Sequence, residues 1–120
     1  MATILAVDDS ASLLQMVSYT LRQAGDEVIE AHDGEDALDN ARVGSADVVL
    51  TDVNMPRMDG ITLVRELRGL DSYRFTPVLV LTTESAAEKK QAAKEAGATG
   101  WLVKPFAPDK LLATVRRVLG

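Results

Sequence analysis

Residues 3–9, TILAVDD, start as a short apolar run and end in two acids, Asp8 and Asp9. Residues 48–52, VVLTD, repeat the pattern and end at a third acid, Asp52. Short runs of aliphatic and β-branched residues are typical of buried strands. If the two runs are adjacent parallel strands, their carboxylates meet at one edge of a sheet, where like charges require a divalent cation or a raised pKa. The sequence therefore predicts a sheet and a site together.

Five short apolar runs alternate with five helical stretches along the chain. The predicted strands are residues 3–7, 28–31, 47–51, 78–82 and 100–103. Helical spacing of apolar residues or Ala-rich composition predicts helices around residues 13–24, 35–42, 63–67, 86–96 and 111–119. This alternation favours right-handed crossovers and a parallel sheet covered on both faces. We therefore predict an α/β fold with a doubly wound, five-stranded parallel sheet.

Residues that commonly begin and end helices support these boundaries. Ser10 or Asp9 can cap the first helix, and Gly25 can end it. Gly97 is placed to end the fourth helix, and Pro108 suits the first turn of the fifth. The predicted division into helices and strands is consistent with these signals.

Length and composition limit the classes of protein. The chain has 120 residues, 47% of them hydrophobic and 26% charged, which suits one globular domain, residues 1–120. It has no cysteine, no apolar run near the roughly 20 residues that span a membrane, and no signal-peptide pattern. Its net charge of -5 argues against a surface that follows nucleic acid. We expect a cytoplasmic monomer that binds neither nucleic acid nor membrane.

The carboxyl ends of the predicted strands bring together one set of polar side chains. In an open α/β sheet, ligands bind outside these ends, where the strand order reverses. Oxygen ligands with no His or Cys nearby favour a hard cation, and we predict one Mg²⁺, for which Mn²⁺ could substitute. An aspartate here could accept a phosphoryl group covalently. The residues in question are Asp8, Asp9, Asp52, Thr82, Thr83 and Lys104.

Four segments together resemble the receiver domain of two-component response regulators. They are the Asp8–Asp9 pair in LAVDDSAS, Asp52 in LTDVNMPRMDGITL, the hydroxyl pair in LTTES and Lys104–Pro105 in GATGWLVKPF. The resemblance covers essentially the whole chain and is greatest to stand-alone chemotaxis regulators of the CheY type. It implies a flavodoxin-like (β/α)5 fold with strand order 2-1-3-4-5 and no output domain.

The resemblance implies a role for each matching residue. Asp52 is the phosphoacceptor. Asp8, Asp9 and the backbone carbonyl of Asn54 join it in holding Mg²⁺. Lys104 and the hydroxyl residues Thr82 and Thr83 contact the phosphoryl group or respond to it. Asn54 and Glu84 tune its hydrolysis, and we expect a lifetime of seconds to minutes.

Three further residues shape the loops around the site. Pro56 is expected to shape the loop after Asp52. Gly60 is expected to supply a positive φ in a turn before the third helix. The resemblance implies a cis bond between Lys104 and Pro105.

Trp101 stands where the family usually has Tyr or Phe at the switch position. A Trp is bulkier and needs a partner for its indole N–H when buried. Packing at the sheet edge and switching on activation are both open for this residue. Lys90 and Lys94 are similarly open, either as a solvated helix face or as part of an output surface with Trp101.

The expected partners are a sensor histidine kinase of the CheA type, an output target such as the flagellar motor switch, and a phosphatase. A receiver that only drains or relays phosphate remains an alternative. A haloacid-dehalogenase-type phosphatase would also use a nucleophilic Asp with Mg²⁺, but it needs a second Asp where Asn54 stands. A flavodoxin-like cofactor binder would need a phosphate-binding loop where the two acids stand. We therefore expect a signalling protein whose only reactions are phosphotransfer and self-dephosphorylation, and not an enzyme.

Overall fold

Five parallel strands and five helices alternate in a computed structural model that describes residues 1–83 and 87–120. The strands are β1 Thr3–Val7, β2 Glu27–Ala31, β3 Val48–Asp52, β4 Val78–Thr83 and β5 Gly100–Lys104. The helices are α1 Ala11–Gln23, α2 Gly34–Val43, α3 Gly60–Arg68, α4 Ala87–Ala96 and α5 Pro108–Leu119, with a short 3₁₀ helix at Asp71–Tyr73. The sheet order is β2-β1-β3-β4-β5, which confirms the predicted doubly wound α/β fold.

The strand order places the ends of β1 and β3 side by side. Val7 pairs with Thr51 of β3 and with Ala31 of β2, so Asp8 follows β1 at the point where the chain order reverses. Asp52 pairs with Leu81 of β4. This is the position at which open α/β sheets bind ligands.

Alternating side chains of the sheet form two hydrophobic layers. Leu5 and Val7 of β1 pack in the layer that α2, α3 and α4 cover. Ile4 and Ala6 pack in the opposite layer, which α1 and α5 cover. A strand directs successive side chains to opposite faces, so a strand buried on both faces must be apolar at every position. The sheet is therefore a rigid support for the loops at its ends.

Three strands extend one residue further toward the site than predicted. The prediction ended β3 at residue 51, β4 at residue 82 and β5 at residue 103, whereas Asp52, Thr83 and Lys104 are all strand residues. Each is paired in the ladder, Asp52 with Leu81 and Lys104 with Thr83. Backbone pairing thus continues into polar residues that strand propensity alone would exclude.

The predicted helix boundaries are largely confirmed. Ser10, and not Asp9, is the N-cap of α1, and its side chain accepts from the backbone N–H of Leu13. Gly25 and Gly97 follow α1 and α4 with φ of 95° and 112°. Pro108 occupies the first turn of α5.

The role predicted for Gly60 was wrong. Gly60 is the first residue of α3 and its φ is not positive; the residue with positive φ in this loop is Arg57, at 67°. Gly60 is required for a different reason, since a Cβ there would overlap the backbone carbonyl oxygen of Asp52. The glycine allows α3 to begin directly against the end of β3.

None of the helices in the described part of the chain is long and apolar enough to cross a membrane.

Candidate functional site

Three carboxylates meet at the carboxyl ends of β1 and β3. Asp8, Asp9 and Asp52 each direct an oxygen into a cluster in which these atoms lie within 4.8 Å of one another. Asp8 and Asp52 are buried, with 1% and 8% of their surfaces exposed, while Asp9 is exposed. The predicted convergence of the three acids is therefore present in the fold.

Lys104 reaches this cluster from the end of β5. Its Nζ lies 2.9 Å from Oδ1 of Asp52 and 3.1 Å from Oδ2 of Asp8. Within residues 1–83 and 87–120, Lys104 is the only cationic side chain that forms an ion pair with Asp8 or Asp52. Two of the three carboxylates thus share one ammonium group.

The pKa values of Asp8 and Lys104 respond to this crowding. The pKa of Asp8 is raised above its ordinary value, first by burial and then by the charge of Asp52, against the opposing effects of the Ser10 backbone N–H and Lys104. Burial by itself would lower the pKa of Lys104, but its hydrogen bonds and ion pairs with Asp52 and Asp8 outweigh burial and raise it. Lys104 therefore stays charged at neutral pH, and the excess charge of the site is negative.

The two oxygens of Asp52 have different surroundings. Oδ1 accepts from Lys104 Nζ and from the backbone N–H of Val53, at 2.9 Å in both cases. Oδ2 accepts no hydrogen bond from any residue that the structure describes. One oxygen is held in place by two donors, while the other is free of donors among the described residues.

The donor set fits a hard divalent cation. Carboxylate oxygens from Asp8, Asp9 and Asp52, with neither His nor Cys among the clustered ligands, suit Mg²⁺. Asn54 follows two residues after Asp52 and is exposed. Receiver domains generally bind Mg²⁺ in such an acidic pocket.

The hydroxyl residues lie at the end of β4. Thr82 is buried and its hydroxyl donates to the carbonyl of Thr83 at 3.4 Å. Thr82 is paired with Val103, and Thr83 with Lys104. The strand ladder therefore places both hydroxyl residues beside Lys104, and Glu84 lies outside the described residues.

The loop residues also lie around the site. Pro56 is exposed in the loop after β3. The bond between Lys104 and Pro105 is cis, as the resemblance implied.

Trp101 lies on β5, three residues before Lys104. It is 41% exposed, and Lys90 Nζ of α4 lies 5.5 Å from the ring centroid. Lys94 is exposed on the same helix. This arrangement combines an aromatic residue and two cations on one surface. It is compatible both with simple packing at the sheet edge and with an output surface.

Sequence reasoning missed one ion pair beside the site. Arg57, in the loop after β3, donates to Asp33, which precedes α2. The two residues are 24 positions apart, and neither belongs to a periodic pattern. No local signal marks Arg57, because positive φ favours Gly, Asn and Asp over a long side chain such as Arg.

Fold and site together define a receiver domain of a two-component response regulator. The family profile described as the response regulator receiver domain matches residues 4–116, so the chain belongs to this family. It is a CheY-like signalling domain, and receivers of this family act between histidine kinases and downstream targets.

The most informative relatives are of two kinds. The solved structure of chemotaxis response regulator CheY4 of Vibrio cholerae is 56% identical, covers 98% of each chain and superposes with a TM-score of 0.94. A chemotaxis protein CheY homolog of Campylobacter jejuni is 36% identical over 119 residues, covering 98% of this chain and 92% of its own. Transcriptional regulatory protein PrrA of Mycobacterium leprae is 40% identical over 116 residues, 97% of this chain but 49% of its own. The chain therefore spans about half the length of some curated relatives.

Proposed function

We propose that this protein accepts a phosphoryl group from a histidine kinase on Asp52 in a Mg²⁺-dependent reaction. The observation that carries the proposal is the asymmetry of the Asp52 carboxylate. Lys104 and Val53 hold one oxygen, and the other accepts no hydrogen bond from the described residues. A fixed carboxylate with one available oxygen is suited to nucleophilic attack.

The transfer step exchanges one bond for another. A carboxylate oxygen of Asp52 attacks the phosphorus of a phosphohistidine and forms a P–O bond as the P–N bond breaks. The bonding pair returns to the imidazole nitrogen, and the ring leaves as neutral imidazole because its other nitrogen already carries a proton. Mg²⁺, bound by Asp8, Asp9, Asp52 and the backbone carbonyl of Asn54, would neutralise charge on the phosphoryl oxygens.

Lys104 and Thr82 would share the remaining charge. The Lys104 ammonium already lies 2.9 Å from Asp52, so it can donate to a phosphoryl oxygen attached there. Thr82 is buried on β4, the strand next to β3. Its hydroxyl donates to the carbonyl of Thr83 at 3.4 Å, which is a long hydrogen bond. A phosphoryl acceptor would draw this hydroxyl toward Asp52. Water attack on phosphorus, tuned by Asn54 and Glu84, would later release phosphate.

We further infer that this receiver acts in a chemotaxis system. The support is that CheY4 of Vibrio cholerae, which is named for chemotaxis, is 56% identical to this chain, whereas the transcriptional regulatory protein PrrA is 40% identical. The kinase would be of the CheA type and the target the flagellar motor switch, bound by the surface formed by Lys90, Lys94 and Trp101. The alternative is a receiver that only drains or relays phosphate. If a purified motor switch protein binds the phosphorylated receiver tightly and the unphosphorylated receiver does not bind, this alternative is excluded.

Intact mass after incubation with acetyl phosphate and Mg²⁺ tests the central proposal. We expect one added phosphoryl group on the unchanged protein and none on Asp52→Asn. Ser10→Ala, which removes a neighbouring hydroxyl acceptor, should keep the adduct. Lys104→Met should form it at least roughly a hundredfold more slowly, the scale of losing one preorganised charge donor. An adduct that persists in Asp52→Asn would contradict the assignment.

A further inference from the structure

The β3–α3 loop, residues 53–59, is attached to the start of α2 through Arg57. Nε of Arg57 donates to Oδ2 of Asp33 at 3.1 Å, and its terminal NH2 group donates to the same oxygen. Nε also lies 3.7 Å from Oε2 of Glu35. One guanidinium thus connects the loop beside the acidic cluster to a helix that lies outside it.

Asp33 is a fixed acceptor for this contact. Its side chain is only 9% exposed, and its Oδ1 accepts from the backbone N–H of Asp36 at 2.8 Å as the N-cap of α2. The backbone N–H of Asp36 and, after it, Arg57 lower the pKa of Asp33, against the effect of burial. Because the cap fixes one oxygen, the other presents a charged acceptor in one direction.

The same loop contacts α2 through its backbone and closes on itself at its base. A Cβ on Gly34 would lie 2.5 Å from the carbonyl oxygen of Met58, so the helix start and the loop are in direct contact. At the base, the backbone N–H of Gly60 donates to the carbonyl of Val53 at 2.8 Å. The loop is therefore held at its base by β3 and α3, and at its tip by α2.

The backbone of Arg57 gives a physical reason for the contact. Its φ of 67° lies in the left-handed region, which costs a non-glycine residue on the order of 1 kcal/mol. A glycine would adopt this conformation without the cost. The chain instead carries a residue that offsets the strain through two hydrogen bonds to Asp33.

We propose that Arg57 is a positioning residue that holds the β3–α3 loop, and with it the backbone of Asn54, in the geometry that binds Mg²⁺. This inference rests on the proposed function, in which the Asn54 carbonyl completes the metal site. Asn54 is exposed and lies three residues before Arg57, so the orientation of its carbonyl depends on how the loop is held. The contact with Asp33 therefore sets metal affinity without touching the metal.

Mg²⁺ affinity measured by calorimetry tests the inference. Arg57→Gln should weaken Mg²⁺ binding about fivefold, the effect of losing an ion pair that is partly exposed. Asp33→Asn, which keeps an oxygen for the cap, should weaken it similarly, and the double variant should be no weaker than either single one. Arg42→Gln is the matched control, because it removes a similarly exposed arginine, paired with Asp39 on α2, and should leave affinity unchanged.

Hydrogen exchange of the metal-free protein provides a second readout. Amides of residues 53–59 should exchange about fivefold faster in Arg57→Gln and in Arg57→Gly, with urea unfolding of the two variants close to that of the unchanged protein. Affinity or exchange equal to that of Arg42→Gln would overturn the inference while leaving the proposed function intact. Failure of the unchanged protein to bind Mg²⁺ would overturn both.

Discussion

The two ends of the sheet hold buried carboxylates in opposite ways. At the amino end, Asp26 has one oxygen 2.8 Å from Arg116 and the other accepting from the backbone N–H of Ala2. At the carboxyl end, Asp8 shares the single ammonium of Lys104 with Asp52. The side chains of Asp8 and Asp26 are each 2% exposed, so burial does not distinguish them. What differs is the ratio of acids to bases.

This difference separates a structural charge from a functional one. A buried carboxylate that has its own cation and a backbone donor needs no further ligand. Three carboxylates beside one ammonium keep an excess of negative charge that a divalent cation can neutralise. Substitutions at the amino end should therefore reduce stability, and substitutions at the carboxyl end should reduce function while leaving the fold intact.

The largest effect on stability is expected at the amino end, from Arg68→Met. Arg68 donates to the carbonyls of Gly97, Tyr73 and Thr76 at 2.6 to 3.1 Å, joining α3, α4 and the start of β4. Loss of these bonds should lower the free energy of unfolding by about 3 kcal/mol, because several partly buried carbonyls lose their donor. Urea unfolding measures the change, and a loss below about 1 kcal/mol would contradict it.

Arg65→Met is the matched control for this substitution. Arg65 lies on the same helix and is exposed, so its replacement should change stability by less than about 0.5 kcal/mol. Both variants should still form the adduct with acetyl phosphate. If the Arg68→Met variant folds but is not phosphorylated, the amino end of the sheet affects function at the carboxyl end, and the two ends are not independent.

A smaller loss is expected from Asp26→Asn. The amide keeps an oxygen for the backbone N–H of Ala2 but loses the ion pair with Arg116, which is 43% exposed and can be solvated. Unfolding should become easier by about 1 to 2 kcal/mol. The measurement is urea unfolding in EDTA and in Mg²⁺, and the loss should be the same in both. A loss that depends on Mg²⁺ would argue against a purely structural role.

Strand ends made much of the carboxyl-end site predictable. Asp8, Asp52 and Lys104 each follow or end an apolar run, and parallel topology brings such ends together. Arg57 and Asp33 were not predictable because their contact joins two loops across the fold. The reason assigned to Gly60 was wrong for a similar cause: its close approach to the Asp52 carbonyl is a tertiary contact, whereas turn propensity is local. The contact between Trp101 and Lys90 joins β5 to α4, so no local pattern encodes it.

Asp8→Asn is expected to have the smallest effect on stability, and to increase stability where the other substitutions reduce it. In EDTA at neutral pH this substitution should raise the free energy of unfolding by roughly 1 kcal/mol, because it removes a buried charge beside Asp52 and keeps an oxygen for the Ser10 backbone N–H. Mg²⁺ should narrow or reverse the gain, since the cation stabilises the unchanged protein more than the variant. A loss of stability in EDTA would mean that the bond to Lys104 outweighs the repulsion from Asp52.

The pH dependence of this gain follows from the direction of the Asp8 pKa. Folding raises that pKa, so the native state binds more protons than the unfolded chain between the ordinary pKa and the raised one. The contribution of Asp8 is therefore most favourable below its ordinary pKa and is lost as the pH rises through the raised value. Asp8→Asn cannot titrate, so its advantage in EDTA should be small in acid, grow across that window and stay constant above it. Urea unfolding of both proteins at a series of pH values measures the difference directly. The other acids contribute equally to the stability of both proteins, so their pH dependence cancels in the difference. Asp33 is one of these acids, and its lowered pKa acts in the opposite direction. An advantage that shrinks as the pH rises would contradict the electrostatic contrast between the two ends of the sheet.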